Sequence, residues 1–291
     1  MKIVKVIGGL GNQMFQFALY KALQKRFTEE RVLLDLHCFN GYHKHRGFEI
    51  PKIFNVTYEE ANWKEVAKVA YPYPNFQSWR FGSRILPDRK TMLKEKADYA
   101  FEPTALTRES NTYYDGYWQH EEYFLSIRED ILRTYTFPAF EDRRNLDTAN
   151  VVTTKNSCAI HVRRGDYVKD KLFRNICNLE YYQTAIQRVK EMVNPEVFCV
   201  FSDDASWCRE HLATLLGQAE TIYVDWNRDK HSFQDMHLMS LCRHQIIANS
   251  SFSWWGAWLN TNKDKVVIAP QKWWNFRGAH TPISNSWINI L

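Results

Sequence analysis

His161, Arg163, Arg164 and Asp166 fall within six positions of one another, straight after the apolar run Cys158-Ala159-Ile160. Two guanidiniums that never lose their charge can grip a phosphate bidentately, so an anionic ligand suits this stretch. The same residue types also make a structural ion pair, with Arg163 or Arg164 tied to Asp166. Three further clusters carry comparable chemistry: Ser202-Asp203-Asp204, Asp225 and Asn249-Ser250-Ser251. Ser250 and Ser251 lie where a helix begins, so hydroxyls and unpaired N–H groups converge there as an anionic phosphate requires. Each cluster has a plainer alternative. The serines can cap a helix, Asp203-Asp204 can be an N-cap and a first-turn acid, and Asp235, inside a predicted helix, can be solvated. What favours a nucleotide-phosphate site is the coincidence of arginines, acids and serines at one sheet edge.

The elements that must position these residues alternate between strand and helix. Ala159–Arg163 reads as a buried strand stopped by Gly165, which puts its polar residues at the C-terminal edge where open α/β sheets bind ligands. Alternation places His161 and Arg163 on one face. Helices are expected over 179–192, 233–242 and 251–259, and strands over 196–201, 221–224, 244–248 and 265–269, which implies a parallel sheet with crossover connections. The chain opens with a strand over 2–7, the glycine turn Gly8-Gly9-Leu10-Gly11, a helix over 12–27 and a strand over 31–36. Main-chain N–H groups at such a helix start can face a phosphate or sugar oxygen. As a dinucleotide fingerprint the turn is poor, because Met14 stands where the third glycine belongs. Residues 38–114 are irregular and broken by prolines, with a short helix over 62–70, a basic stretch over 80–96 and the aromatic segment Tyr113–Gln119. An amphipathic helix is expected over 121–135 and a linker over 136–156.

With 291 residues, 45% hydrophobic and 24% charged, the chain has the composition of a globular protein with a substantial core. A net charge of +5, spread without blocks, suits anionic small ligands or a peripheral membrane contact and argues against nucleic acid. Eleven tryptophans point to core packing and to sugar or base stacking. The six scattered cysteines predict buried free thiols rather than disulfides or zinc. No apolar run is long enough for a membrane span, and Met1–Ile7 is too short for a signal peptide, so a cytoplasmic protein is expected. Asp-x-Asp, P-loop and Gly-x-Ser-x-Gly patterns are absent. With two arginines available to neutralise a leaving diphosphate, chemistry without a divalent ion or other cofactor is expected.

Gly8-Gly9-Leu10-Gly11-Asn12-Gln13-Met14-Phe15-Gln16, Gly116-Tyr117-Trp118-Gln119, His161–Tyr167, Phe201-Ser202-Asp203-Asp204 and Ala248–Leu259 occur in this order. In that order they resemble the bacterial α-1,2-fucosyltransferases of glycosyltransferase family 11, over nearly the whole chain. The resemblance implies an α/β, GT-B-like fold of two Rossmann-like lobes, with parallel sheets facing a central cleft. Residues 1–150 would form an acceptor-side lobe and 151–291 a GDP-fucose-binding lobe. It implies inverting transfer of L-fucose from GDP-β-L-fucose to the 2-hydroxyl of a terminal β-galactoside, such as lactose, N-acetyllactosamine or an O-antigen-type glycan. Lacking the anchor of the animal Golgi enzymes, the chain is similar to a bacterial enzyme of the cytoplasm or the inner face of the plasma membrane.

Carried over by position, Arg163 matches the arginine on the donor diphosphate, with Arg164, Asp203, Asp204 and Asn249 around it. His161 and Asp235 match contacts to guanine. Ser250, Ser251 and Phe252 match the segment lining diphosphate and sugar, and Gly11 and Asn12 match the glycine-loop positions facing the cleft. The catalytic base stays open among Asp166, His45, Asp35 and Asp115, beside a mechanism in which the departing phosphate accepts the proton. A fucosyltransferase of another linkage and a non-catalytic GDP-sugar or glycan-binding protein of the same fold are the competing readings.

Overall fold

The computed structural model describes residues 1–42, 44–276 and 278–290. The chain divides into two compact units, Met1–Phe137 and Pro138–Leu291. In the first unit the described strands are β1 (Lys2–Lys5), β2 (Val32–Asp35), β3 (Met92–Lys94) and β4 (Thr112–Asp115), and the helices are α1 (Leu10–Arg26), α2 (Ile50–Ile53), α3 (Trp63–Val69), α4 (Phe76–Ile85), α5 (Thr104–Thr107) and α6 (Arg128–Thr134). The sheet runs β2-β1-β4-β3, all parallel, with Lys2 opposite both Val32 and Thr112. Strands β1, β2 and β4 are buried throughout, as a parallel sheet covered on both faces requires. Helix α1 is buried almost all round, from Met14, Phe15 and Phe17 to Leu23. Even the lysines of β1 are buried. Lys2 donates to the carbonyls of Arg108 and Ser110, and Lys5 pairs with Asp115 beneath the Trp79 ring, because an interior charge must find a partner.

In the second unit the strands are β5 (Ser157–Val162), β6 (Val197–Ser202), β7 (Glu220–Val224), β8 (His244–Ile246), β9 (Val267–Pro270) and β10 (Ile288–Ile290). The helices are α7 (Arg143–Thr154), α8 (Leu179–Val193), α9 (Ala205–Leu216), α10 (Phe233–Leu241) and α11 (Ser251–Leu259). The order β10-β9-β8-β5-β6-β7, all parallel, is the doubly wound arrangement, whose direction reverses between β5 and β8. Cys158, Ile160 and Val162 of β5 face α8 and α9, whereas Ala159 faces the layer of α7 and α10. The two α/β units with parallel sheets agree with the expected fold class.

Three expectations are corrected. Residues 136–156 are not a linker: Asp142 caps α7, which buries Asn145, Thr148 and Val152 in the second unit. The division therefore falls after Phe137 rather than after residue 150. The helix expected over 121–135 is α6 alone, preceded by single 3-10 turns at Glu121–Tyr123 and Leu125–Ile127. Phe124, with φ −140°, breaks the helical path; its ring meets Phe15, while Tyr123 stands edge-on to Trp118. The basic stretch 80–96 holds the end of α4 and the edge strand β3.

All six cysteines are free, and all but the half-buried Cys177 are buried, as expected. Trp254, Trp255, Trp258, Trp273, Trp274 and Trp287 are buried too, which assigns these rings to packing rather than to sugar stacking. Among the described residues no helix is long and apolar enough to cross a membrane.

Candidate functional site

The reversal point of the second sheet lies between β5 and β8, and the chain leaves those strands through His161–Asp166 and Ala248–Ser251. Crevices at such points bind ligands because neighbouring loops diverge to opposite sides. Asp203, just past β6, organises the first of these loops. Its Oδ2 lies 3.0 Å from Arg163 Nη1, and its Oδ1 accepts from the Arg164 backbone at 2.9 Å. Gly165 permits that approach, since a Cβ there would stand 2.7 Å from Asp203 Oδ2. Arg163 also donates to Asp166 at 2.7 Å and lies over the Tyr167 ring at 5.5 Å. Arg164 turns the other way. Its Nε meets Asp204 Oδ2 at 3.1 Å, and its guanidinium stands 4.2 Å from the Trp207 ring centre. Asp204 is at the same time the N-cap of α9, accepting from Trp207 N. The ion-pair and capping alternatives are thus both realised. They fix the direction of two guanidiniums while leaving each with further N–H groups for a ligand.

Beside these arginines lies a cavity of about 380 Å³ whose lining includes Arg163, Arg164, Arg174, Trp207, His211 and Asn249. Its lining carries three guanidiniums and no carboxylate, which suits an anion.

His161 is the penultimate residue of β5 and is 7% exposed. Its ring faces Phe252 at 5.9 Å, and its Nδ1 has no hydrogen-bond partner. Burial, with Arg163 adding, pushes the imidazole down to about 3, so it is neutral near neutral pH. A buried ring nitrogen left unpaired is costly, and a ligand that occupies it recovers that cost. On the same side of the sheet Asp235, in the first turn of α10, accepts from Asn227 Nδ2 at 2.8 Å. Asn227 belongs to a buried amide network with Asn145, which also takes the Trp226 indole N–H at 2.8 Å. Burial pushes the Asp235 carboxyl up to about 7 against the pull of Asn227 and Arg228. Asp235 is therefore not the solvated helix acid of the plainer reading.

Ser250 caps α11 through Phe252 N at 3.3 Å, with Ser251 and Phe252 in the first turn behind it. That end of α11 offers the positive pole of a nine-residue helix. Asn249 is buried and donates to the Trp273 carbonyl at 3.1 Å, so its amide pins the loop. Asp225 stands apart, paired with Arg209 at 2.8 Å.

In the first unit the sheet reverses between β1 and β4, and the loops leaving those strands are the glycine turn and Gly116–Gln119. Gly8, at φ +95°, lets the chain fold over Asn12; Gly9 passes under the His45 ring, where a Cβ would come within 3.0 Å. Gly11 and Asn12 open α1. Asn12 Oδ1 accepts from Gln119 Nε2 at 2.8 Å, and His45 is exposed against the turn. The glutamines of the motif are staples: Gln13 bonds Gly8 O, Gly47 O and Glu49 N, and Gln16 bonds Ile7 N and Gly116 O.

Two candidate bases are committed elsewhere. Asp35 is buried, which alone would raise its carboxyl, but His37 and the Tyr113 hydroxyl hold it below the usual range. Asp115 pairs with Lys5. Glu95, Trp207 and the Asn145–Asn227 network carry no spacing signal in the sequence, whereas Gln119 lies in the Gly116–Gln119 motif.

The sequence profile of Glycosyl transferase family 11 matches residues 90–290. An O-antigen biosynthesis glycosyltransferase of Escherichia coli, WbnK, is 33% identical over 97% of this chain and 98% of its own. An alpha-1,2-colitosyltransferase of Escherichia coli is 32% identical over 99% and 98%. A galactoside alpha-(1,2)-fucosyltransferase 2 of Gorilla gorilla gorilla is 23% identical over 92% of this chain and 71% of its own. On the profile and on these full-length identities, the chain belongs to glycosyltransferase family 11.

Proposed function

We propose that this protein transfers L-fucose from GDP-β-L-fucose, with inversion, to the 2-hydroxyl of a terminal β-galactoside, forming Fucα1-2Gal. The observation that carries the donor assignment is the buried, unpartnered Nδ1 of His161 on the side of the sheet where Asp235 sits, with Arg163 at the strand end. A carboxylate accepts from guanine N1–H and N2–H together, and the neutral imidazole adds a second polar contact. Arg163 neutralises the diphosphate as the C1–O bond breaks and its electron pair passes to the β-phosphate oxygen, helped by the N-terminus of α11. The names of the α-1,2-linked relatives support the linkage.

On the acceptor side, Asn12 hydrogen-bonds the galactose and His45 takes the proton from its 2-hydroxyl. His45 is chosen because it is exposed and packs against the glycine turn that leads to Asn12, whereas Asp35 and Asp115 are buried. The arginines supply the positive charge at the leaving group, so the reading includes no divalent ion or other cofactor. It places the enzyme in the cytoplasm, with an acceptor glycan that can be attached to a membrane carrier.

Calorimetric titration tests the donor assignment. GDP and GDP-fucose should bind the wild type, whereas ADP and UDP should not, and His161→Ala should weaken GDP by about tenfold through loss of one buried hydrogen bond. Equal binding of all three diphosphates would refute the guanine assignment. Because one relative is named for colitose, GDP-activated fucose and colitose should be compared as donors.

A further inference from the structure

Glu95 follows the edge strand β3, and its backbone N–H bonds the Asp115 carbonyl at 2.9 Å. Its carboxylate reaches across to the turn after β4. Oε2 accepts from the Tyr117 backbone at 2.7 Å and Oε1 from the Trp118 backbone at 2.8 Å. Consecutive N–H groups converging on one carboxylate form an anion nest. The turn is built for this contact: a Cβ on Gly116 would stand 2.4 Å from Glu95 Cβ. Trp118 is held at φ +57°, a region that disfavours a bulky residue and persists only when its surroundings enforce it. From the other side Gln16 donates to Gly116 O at 2.9 Å, one turn of α1 beyond Asn12.

The output of this clamp is Gln119. It is 8% exposed and donates through Nε2 to Asn12 Oδ1, while its Oε1 has no hydrogen-bond partner. An amide held by one end depends on its backbone for placement. We propose that Glu95 is a positioning residue: it fixes the turn 116–119 in the conformation from which Gln119 orients Asn12 toward the acceptor sugar. This rests on the reading above that Asn12 contacts the acceptor.

The test joins kinetics with an activity-independent readout at pH 8. In Glu95→Gln, one backbone N–H faces an amide NH2 instead of an oxygen. Acceptor kcat/KM should fall about tenfold with GDP affinity within twofold of wild type, and Glu95→Asp should recover part of the loss. In an Asn12→Ala background the same substitution should cost less than twofold. By NMR, Glu95→Gln should speed amide exchange at Tyr117 and Trp118 and shift the side-chain NH2 signals of Gln119 and Asn12. Unshifted Asn12 signals, or costs that multiply in the double variant, would overturn the proposal. If wild type transfers to no β-galactoside, the functional reading fails, and the NMR shifts still decide whether Glu95 sets Asn12.

Discussion

Donor binding should depend on pH through Asp235. The Asp235 carboxyl titrates near 7 because burial disfavours its charge, and only the ionised form can accept from both guanine donors. About 90% of the protein carries the carboxylate at pH 8 and about 1% at pH 5, so GDP-fucose affinity should fall roughly 50- to 100-fold, or about 2.5 kcal/mol. His161 contributes no slope, because burial pushes it down to about 3 and it stays neutral across that window. GDP-fucose is the ligand of choice, since its esterified diphosphate does not titrate there, whereas the terminal phosphate of GDP does. Calorimetry at half-unit steps should give one transition near pH 7. Asp235→Asn should abolish the slope and bind at pH 8 as weakly as the wild type does at pH 5.

Stability should move in the opposite sense. A carboxyl whose folded value is raised adds no penalty below the unfolded value near 4 and its full penalty above 7, so the Asp235→Asn variant should gain relative stability as pH rises through that interval. An affinity that is flat from pH 5 to 8 in the wild type would refute the guanine contact at Asp235.

Other consequences are direct. Arg163→Ala should reduce kcat/KM by about 10²- to 10³-fold with the fold retained, and Arg163→Lys should restore only part, since an ammonium cannot bridge Asp166, Asp203 and a phosphate in one plane. Gly165→Ala should lower the melting temperature and weaken GDP-fucose about tenfold, because its Cβ displaces the Asp203 carboxylate that aims Arg163. His45→Ala should cut kcat by about 10²-fold while leaving GDP affinity unchanged, read by comparing initial rates with calorimetry.

The second unit was the more legible from sequence because its chemistry clusters at strand ends. The apolar run of β5 broken by His161, Arg163 and Gly165 announces both the strand and the site. What the sequence could not disclose is pairing across distance. Asp203 meets Arg163 and Arg164 from some 40 positions away, and Asn227 joins Asn145 to Asp235 from another loop. Helix α7 was missed because it buries only Asn145, Thr148 and Val152, too little apolar surface to set a period. Asp204 is the N-cap of α9, as the plainer reading of Asp203-Asp204 allowed, and it pairs with Arg164 as well. In the first unit, Gln13 and Gln16 belong to the motif that carries the family resemblance, yet their amides are spent on the backbone of the glycine turn and of the turn at Gly116. Glu95 sat in a proline-broken stretch with no periodicity around it, and its role depends on a strand pairing that a three-residue edge strand does not advertise.

The most direct test of the proposed reaction is to incubate the purified protein with GDP-fucose and a panel of β-galactosides beginning with lactose, with EDTA present, and to solve the product linkage by NMR. Release of GDP together with a Fucα1-2Gal product is the expected result. Tight binding of GDP-fucose with no product across the panel, or a product of any other linkage, would contradict it.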